Sequence, residues 1–182
     1  MGLMKLGILV PAILAVFAFS ALYVTAVQAG EITMKNLEVN LGFTRVPDEY
    51  TCEGKDISPE IGIQGLNATS LAMIVDDPDA PGGTFTHWII WNIPPMAMIP
   101  GAIPKNATVK KPISALQGTT SFGEVGYIGP CPPSGKPHRY FFRVFGLDRM
   151  LDLRPGASRQ DLEKAMLGHV LQQGEAMATY GR

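Results

Sequence analysis

One turn limits the folds open to this chain. Asp76-Asp77-Pro78-Asp79-Ala80-Pro81-Gly82-Gly83 separates two apolar runs, at 71–75 and 87–93. Pro78 and Pro81 fix φ and remove N–H donors, so the connection cannot be helical. Both runs are short and apolar at consecutive positions, which is the pattern of strands covered on two faces. A connection of this length lets them lie side by side. Carboxylates at Asp76, Asp77 and Asp79 then gather at one end of one sheet, with His87 opening the returning strand. A binding site is one reading of that arrangement. An acidic, solvated turn with a histidine near a sheet edge is the other.

The first residues read as a leader rather than as part of the fold. Lys5 is the only charge before Gly30, and positions 6–27 are apolar or small. Ala26-Val27-Gln28-Ala29 offers small residues at the offsets signal peptidase uses. The expectation is a signal peptide over 1–29 or, uncleaved, a membrane anchor, since 22 such residues suffice to span a bilayer. Either places the folded part, 30–182, outside the cytoplasm. That part suits one domain with a proper core. The whole chain carries 15 basic and 16 acidic residues with no basic cluster beyond Lys110-Lys111, which argues against nucleic acid as a partner. Cys52 and Cys131 lie too far apart for a zinc spacing. In an oxidising compartment they could close a long loop as a disulfide, the alternative being two free thiols. Asn67 and Asn106 stand in formal glycosylation sequons.

The rest reads as mainly antiparallel β. Strands are expected over 32–39, 61–63 and 138–147, where aromatics and Val alternate with basic residues. Residues 44–59 and the proline-rich 94–112 are expected as loops, the latter with edge strands. The glycine- and proline-rich stretch 117–137 is a long loop that Phe122 and Tyr127 tie down. A helix is expected over 159–168. Ser158 is its N-cap, Asp161 holds the capping-box position, and Leu162, Ala165, Met166 and His169 share a face. A last strand follows over 170–180. The fold class is all-β: a two-sheet antiparallel β-sandwich with a peripheral C-terminal helix.

Two strands begin with histidine directly after a Gly/Pro-rich loop, at His87 and His138. If both present the same end of the sheet, the two rings converge with Asp77 and Asp79. A carboxylate beside an imidazole fixes its tautomer and leaves the other nitrogen free. Trp88, Tyr127, Pro132 and Pro133 are candidate apolar walls. The result suits a phosphate or carboxylate on a modest head group. His169, near the helix end, reads as structural. No Gly-x-Ser-x-Gly elbow occurs, and Ser121 and Ser134 lack a nucleophile signature, so a hydrolase is the weaker reading. No ligand spacing predicts a metal, and no cofactor is expected.

Asp77-Pro78-Asp79-Ala80-Pro81 followed by His87 resembles the first signature of the phosphatidylethanolamine-binding protein family. Gly126-Tyr127-Ile128-Gly129-Pro130-Cys131-Pro132-Pro133-Ser134-Gly135 followed by Pro137-His138-Arg139-Tyr140 resembles the second. The 50–59 stretch and Gly168-His169-Val170-Leu171 are similar to its prokaryotic, Raf-kinase-inhibitor-like branch. The resemblance implies a β-sandwich with an anion pocket for phosphate-type groups, phospholipid head groups included. It implies Asp77, Asp79, His87, Pro130, His138 and Tyr140 as pocket residues. Thr119-Thr120-Ser121-Phe122-Gly123 departs from the Asn-Asp-Phe/Trp-Gly type of many relatives, which bears on ligand preference more than on fold. The functional expectation is an exported, non-enzymatic binding protein for a small anionic or phosphorylated ligand. The alternative is an interaction module or inhibitor acting on an extracytoplasmic protein partner through 94–112. Contact with a membrane is expected only through an uncleaved leader.

Overall fold

The structure is a computed structural model that describes residues 35–182 together with Gly2, and the compact unit Thr33–Arg182 holds all the elements named below. The expected leader, and the start of the strand expected from Ile32, lie outside the described residues. Among the described residues ten strands, one α-helix and a 3-10 turn at Asp48–Tyr50 succeed one another, the strands and α-helix in the order β1 Lys35–Asn36, β2 Glu38–Asn40, β3 Ile61–Gln64, β4 Ser70–Asp77, β5 Phe85–Ile93, β6 Met98–Ile99, β7 Thr108–Val109, β8 Ala115–Gln117, β9 His138–Leu147, α1 Arg159–Met166 and β10 Val170–Tyr180. They form a seven-stranded sheet, β1-β10-β9-β4-β5-β8-β7, and a three-stranded sheet, β2-β3-β6. Among these strands every pairing is antiparallel except β1 with β10.

Hydrophobic periodicity explains the layers. All eight residues of β4 are buried, as a strand covered on both faces requires. Leu71, Met73 and Val75 point into the core between the sheets, with Trp88, Ile90, Phe142, Val144 and the small sheet's Ile61, Ile63 and Ile99. Ala72 and Ile74 point the other way, with Ile89, Trp91, Leu162 and Met166 beneath the helix. The small sheet therefore covers one face of the large sheet and α1 covers part of the other.

The single strand expected over 32–39 is two in its described part. Leu37 is buried and donates its N–H to the Gln173 carbonyl at 2.8 Å, and there the chain passes from the large sheet to the small one. The 94–112 excursion is ordered. Ile99, Ile103 and Val109 are buried, and the Gln117 amide donates to the Pro104 and Asn106 carbonyls at 2.7 and 2.8 Å. The helix keeps its expected start. Asp161 N–H donates to Ser158 Oγ at 3.2 Å while Ser158 N–H donates to Asp161 Oδ2 at 3.1 Å, the reciprocal capping box. It ends at Met166, ahead of the expected 168. Gly168 takes φ +77°, which turns the chain back into β10 and carries His169 off the helix face to Asp148, 3.1 Å away. The Cys52 and Cys131 sulfurs are bonded, with their Cα atoms 5.5 Å apart.

Leu162 is fully buried and is α1's main anchor on the sheet. Leu162→Ala is expected to lower stability by about 3 kcal/mol through lost burial and the cavity left behind. Urea denaturation should show a lower midpoint at an unchanged slope.

Candidate functional site

The site is built on the end of β4. Successive strand residues face opposite sides, so Asp76 and Asp77 part company. Asp76 turns toward α1 and is almost fully buried. There its Oδ2 accepts from Arg143, and from Arg159 Nη1 at 2.9 Å. Its Oδ1 is buried without a partner. Asp77 turns toward the core between the sheets. Its Oδ2 lies 2.7 Å from His138 Nδ1, and its Oδ1 accepts the Asp79 N–H at 2.8 Å, which tightens the turn. His138 opens β9, the neighbour of β4, so the sheet order itself brings the pair together.

His87 reaches the same place by an irregularity. Val75 pairs with Trp88, but Asp76 pairs with Thr86, which leaves His87 as the extra residue of a β-bulge. Trp88 already faces the core between the sheets, and strict alternation would turn His87 to the helix side. The bulge re-aims it beside Asp77 and Phe85. His87 Nδ1 lies 2.7 Å from the Ile128 carbonyl, and Ile128 N–H donates back to the His87 carbonyl at 3.0 Å. With Nδ1–H donating to that carbonyl, Nε2 is the free nitrogen of the ring. The same holds for His138, whose Nδ1–H donates to Asp77.

These groups line one cavity of about 330 Å³. Asp77, His87, His138 and Tyr140, with Thr84 and Ser121, are its polar lining residues, and Gly129, Cys131, Pro132 and Pro133 form one wall. Phe85 and Phe122 form the opposite lip, with ring centroids 4.7 Å apart. Tyr140 Oη is buried without a partner. Burial above all, and then the charges of Asp77 and Asp79, push that phenol far up, so it stays protonated. Among the described residues no group of three or more His, Cys, Asp or Glu is placed to hold a metal ion.

Four expected site residues do not line the cavity. Asp79 faces outward and takes a bidentate contact from Arg139, Nη2 at 2.8 Å and Nε at 2.9 Å, plus the Arg139 N–H at 2.9 Å. Those bonds hold its carboxyl well below the usual range. Pro130 turns its carbonyl to Cys52 N–H at 3.1 Å, behind the wall. Trp88 alternates into the core, where its indole donates to Gln117 at 2.6 Å and stacks edge-on against Tyr127. Tyr127 in turn donates to the Tyr50 carbonyl at 2.8 Å. Asp79, Pro130, Trp88 and Tyr127 therefore support the site from outside it. Gly129 belongs to the 129–133 backbone expected at the cavity rim, whereas Phe85 and Ile128 line the cavity without having been expected. Their signal was adjacency to His87 and to the second glycine-rich loop.

Burial is the main influence on His87 and pushes its pKa below the ordinary ~6.5, against the opposing pull of the Ile128 carbonyl and of Asp77. As pH falls, the unfolded chain takes up this proton before the folded one does. The His87 contribution is therefore complete above about pH 6.5 and is lost between there and the lower folded value. Urea midpoints taken across that window should decline with falling pH. The decline should be shallower in His87→Asn.

The family model described as phosphatidylethanolamine-binding protein matches residues 39–181. A UPF0098 protein of Pyrococcus horikoshii is 59% identical over 140 residues, which span 75% of this chain and 71% of its own length. A UPF0098 protein of Aquifex aeolicus is 47% identical over 142 residues, spanning 75% of this chain and 81% of that one. Among solved structures, a phosphatidylethanolamine-binding protein homologue from Chlamydia trachomatis matches with a TM-score of 0.72 at 33% identity, covering 81% of this chain and 98% of the other. YbcL of E. coli, a member of the mammalian PEBP family, matches with a TM-score of 0.73 at 28% identity, covering 81% and 99%. On the family model and these relatives together, this chain belongs to the phosphatidylethanolamine-binding protein family.

Proposed function

We propose that this protein is a non-enzymatic binding protein whose cavity takes a small phosphate-type group, either a phospholipid head group or another phosphorylated ligand. One observation carries the reading. Two buried histidines in one cavity each have Nδ1 engaged by the protein, by the Ile128 carbonyl and by Asp77, and each keeps Nε2 for a ligand. A ring so tethered has a fixed tautomer and orientation. In the neutral state Nε2 accepts a hydrogen bond, for example from the P–OH of a hydrogen phosphate. In the imidazolium state it donates to an anionic oxygen, and such charge-assisted bonds are the stronger ones. Tyr140, held in its protonated form, sits beside them. Among the described residues the hydrogen bonds made by the two rings go to the Ile128 carbonyl and to Asp77, and the proposed role of the pair is binding. In this reading the 1–29 leader exports the domain, and the ligand is met outside the cytoplasm.

Phosphate and phosphoethanolamine titrations, followed through the His87 and His138 ring signals by NMR, test the proposal. Saturable shifts in both rings, abolished by His138→Ala, are the expected result. Affinity should weaken as pH rises through the histidine range, once the ligand's own titration is allowed for, because the donating imidazolium is lost. Rings that stay unmoved at millimolar ligand would sink the phosphate reading and put a protein partner first. An affinity independent of pH would remove the donating imidazolium from the mechanism.

A further inference from the structure

The wall formed by 128–133 is attached in an unusual way. Outside the strands, its backbone has few donors, because Pro130, Pro132 and Pro133 have none. Its ties run to three neighbours: Ile128 N–H donates to the His87 carbonyl at 3.0 Å, Arg182 Nε donates to the Pro132 carbonyl at 2.7 Å, and the rest go to the 50–56 segment. Gly129 N–H donates to Asp56 Oδ1 at 2.6 Å, and Cys52 N–H to the Pro130 carbonyl at 3.1 Å. A Cβ on Gly129 would stand 2.3 Å from the Tyr50 carbonyl oxygen, so the two segments lie in direct backbone contact. The one covalent tie is the Cys52–Cys131 disulfide. Cys131 is itself a lining residue of the cavity, and both cysteines are exposed residues. The same wall carries the Ile128 carbonyl that fixes the His87 ring.

We propose that the Cys52–Cys131 disulfide is a redox control on the ligand cavity, and that its reduction by a dithiol loosens the 128–133 wall and weakens binding there. The proposal rests on the binding function argued above and adds its regulation. The chemistry is thiol–disulfide exchange. A thiolate of the dithiol attacks one sulfur of the bridge and breaks the S–S bond, giving a mixed disulfide and one free protein thiolate. The second thiol of the reagent then displaces the remaining cysteine. The dithiol ends as a disulfide, while Cys52 and Cys131 gain two electrons and two protons. The surrounding fold does not depend on this bridge for its pairing. The seven-stranded sheet and both cores are assembled from residues outside the 50–56 segment, Tyr50 apart. Reduction therefore acts on the wall first. Without the bridge, 129–133 is left with hydrogen-bonded ties alone, and the Ile128 carbonyl at His87 Nδ1 loses the covalent backing of the wall behind it.

The test compares the oxidised protein with protein reduced by excess dithiothreitol, using inorganic phosphate and phosphoethanolamine as probes and amide hydrogen exchange as a second readout. Reduction should weaken binding of both probes at least tenfold and speed exchange at Ile128 and Gly129, with β4 and β9 amides unchanged. Cys52→Ala should show the weak affinity and the fast wall exchange with or without reductant. Equal affinity in the two redox states would overturn the proposal, as would a bridge that resists dithiothreitol in the folded protein. Faster exchange throughout β4 and β9 would also overturn it, since the bridge would then hold the whole fold rather than the site. If the oxidised protein takes neither probe, the binding reading itself fails. Wall exchange then decides the redox coupling alone, and rates unchanged on reduction refute it.

Discussion

The arrangement depends on β4 being hydrogen-bonded on both sides and buried on both faces. It pairs with β5 along one edge and β9 along the other, and its apolar residues feed two separate cores. A strand so enclosed has no freedom of register, because a slip by one residue would exchange every side chain between the two cores. The positions of Asp76 and Asp77 are therefore set by the packing of 71–75 and not by the polar groups they meet. The site inherits its geometry from the hydrophobic core.

Two consecutive carboxylates at the end of a buried strand are costly unless each finds partners. The fold supplies them on opposite faces. Asp77 is answered by His138 and the Asp79 amide. Asp76 is answered by Arg143 from β9 and Arg159 from α1, which also engage Glu175 and Glu163. A buried ionic cluster of this kind is weak evidence for stability, since desolvation offsets most of the attraction. Its contribution is positional. Arg159 is the first residue of α1, so the cluster fixes where the helix begins on the sheet, and the Leu162 anchor fixes how it lies.

Much of this was legible from residues alone, for definable reasons. Consecutive apolar positions marked β4 and β5 as central strands, alternating aromatics marked β9, and Ser158 with Asp161 marked the helix start. Asp77, His87 and His138 were identifiable because two histidines follow two Gly/Pro-rich loops, and Tyr140 only through the family resemblance. What escaped was direction. Trp88 and Tyr127 were expected at the cavity because they neighbour motif positions, yet both rings pack deeper in the core between the sheets, Trp88 bonded to Gln117 and Tyr127 to the Tyr50 carbonyl. Asp79 escaped because its partner, Arg139, lies 60 residues away and carries no local pattern. The division of the first strand at Leu37 escaped because a passage between sheets leaves no periodic signature in so few residues.

The bulge at His87 sets a rule for how this chain can change in length. On the core side, Trp88 is locked by Val75 opposite and by its bond to Gln117. The extra residue can be accommodated only between that lock and Thr86. Losing the one residue there, His87, would restore regular pairing and remove an imidazole from the cavity, while leaving both cores intact. Gly82 and Gly83 stand differently: neither has a neighbouring atom within 4 Å of where a Cβ would sit. The loop tip can therefore lengthen or shorten without disturbing the fold, whereas a few residues further on a single deletion would yield a stable protein with a disabled pocket. Fold and cavity geometry are thus separable by the count of residues in one short segment.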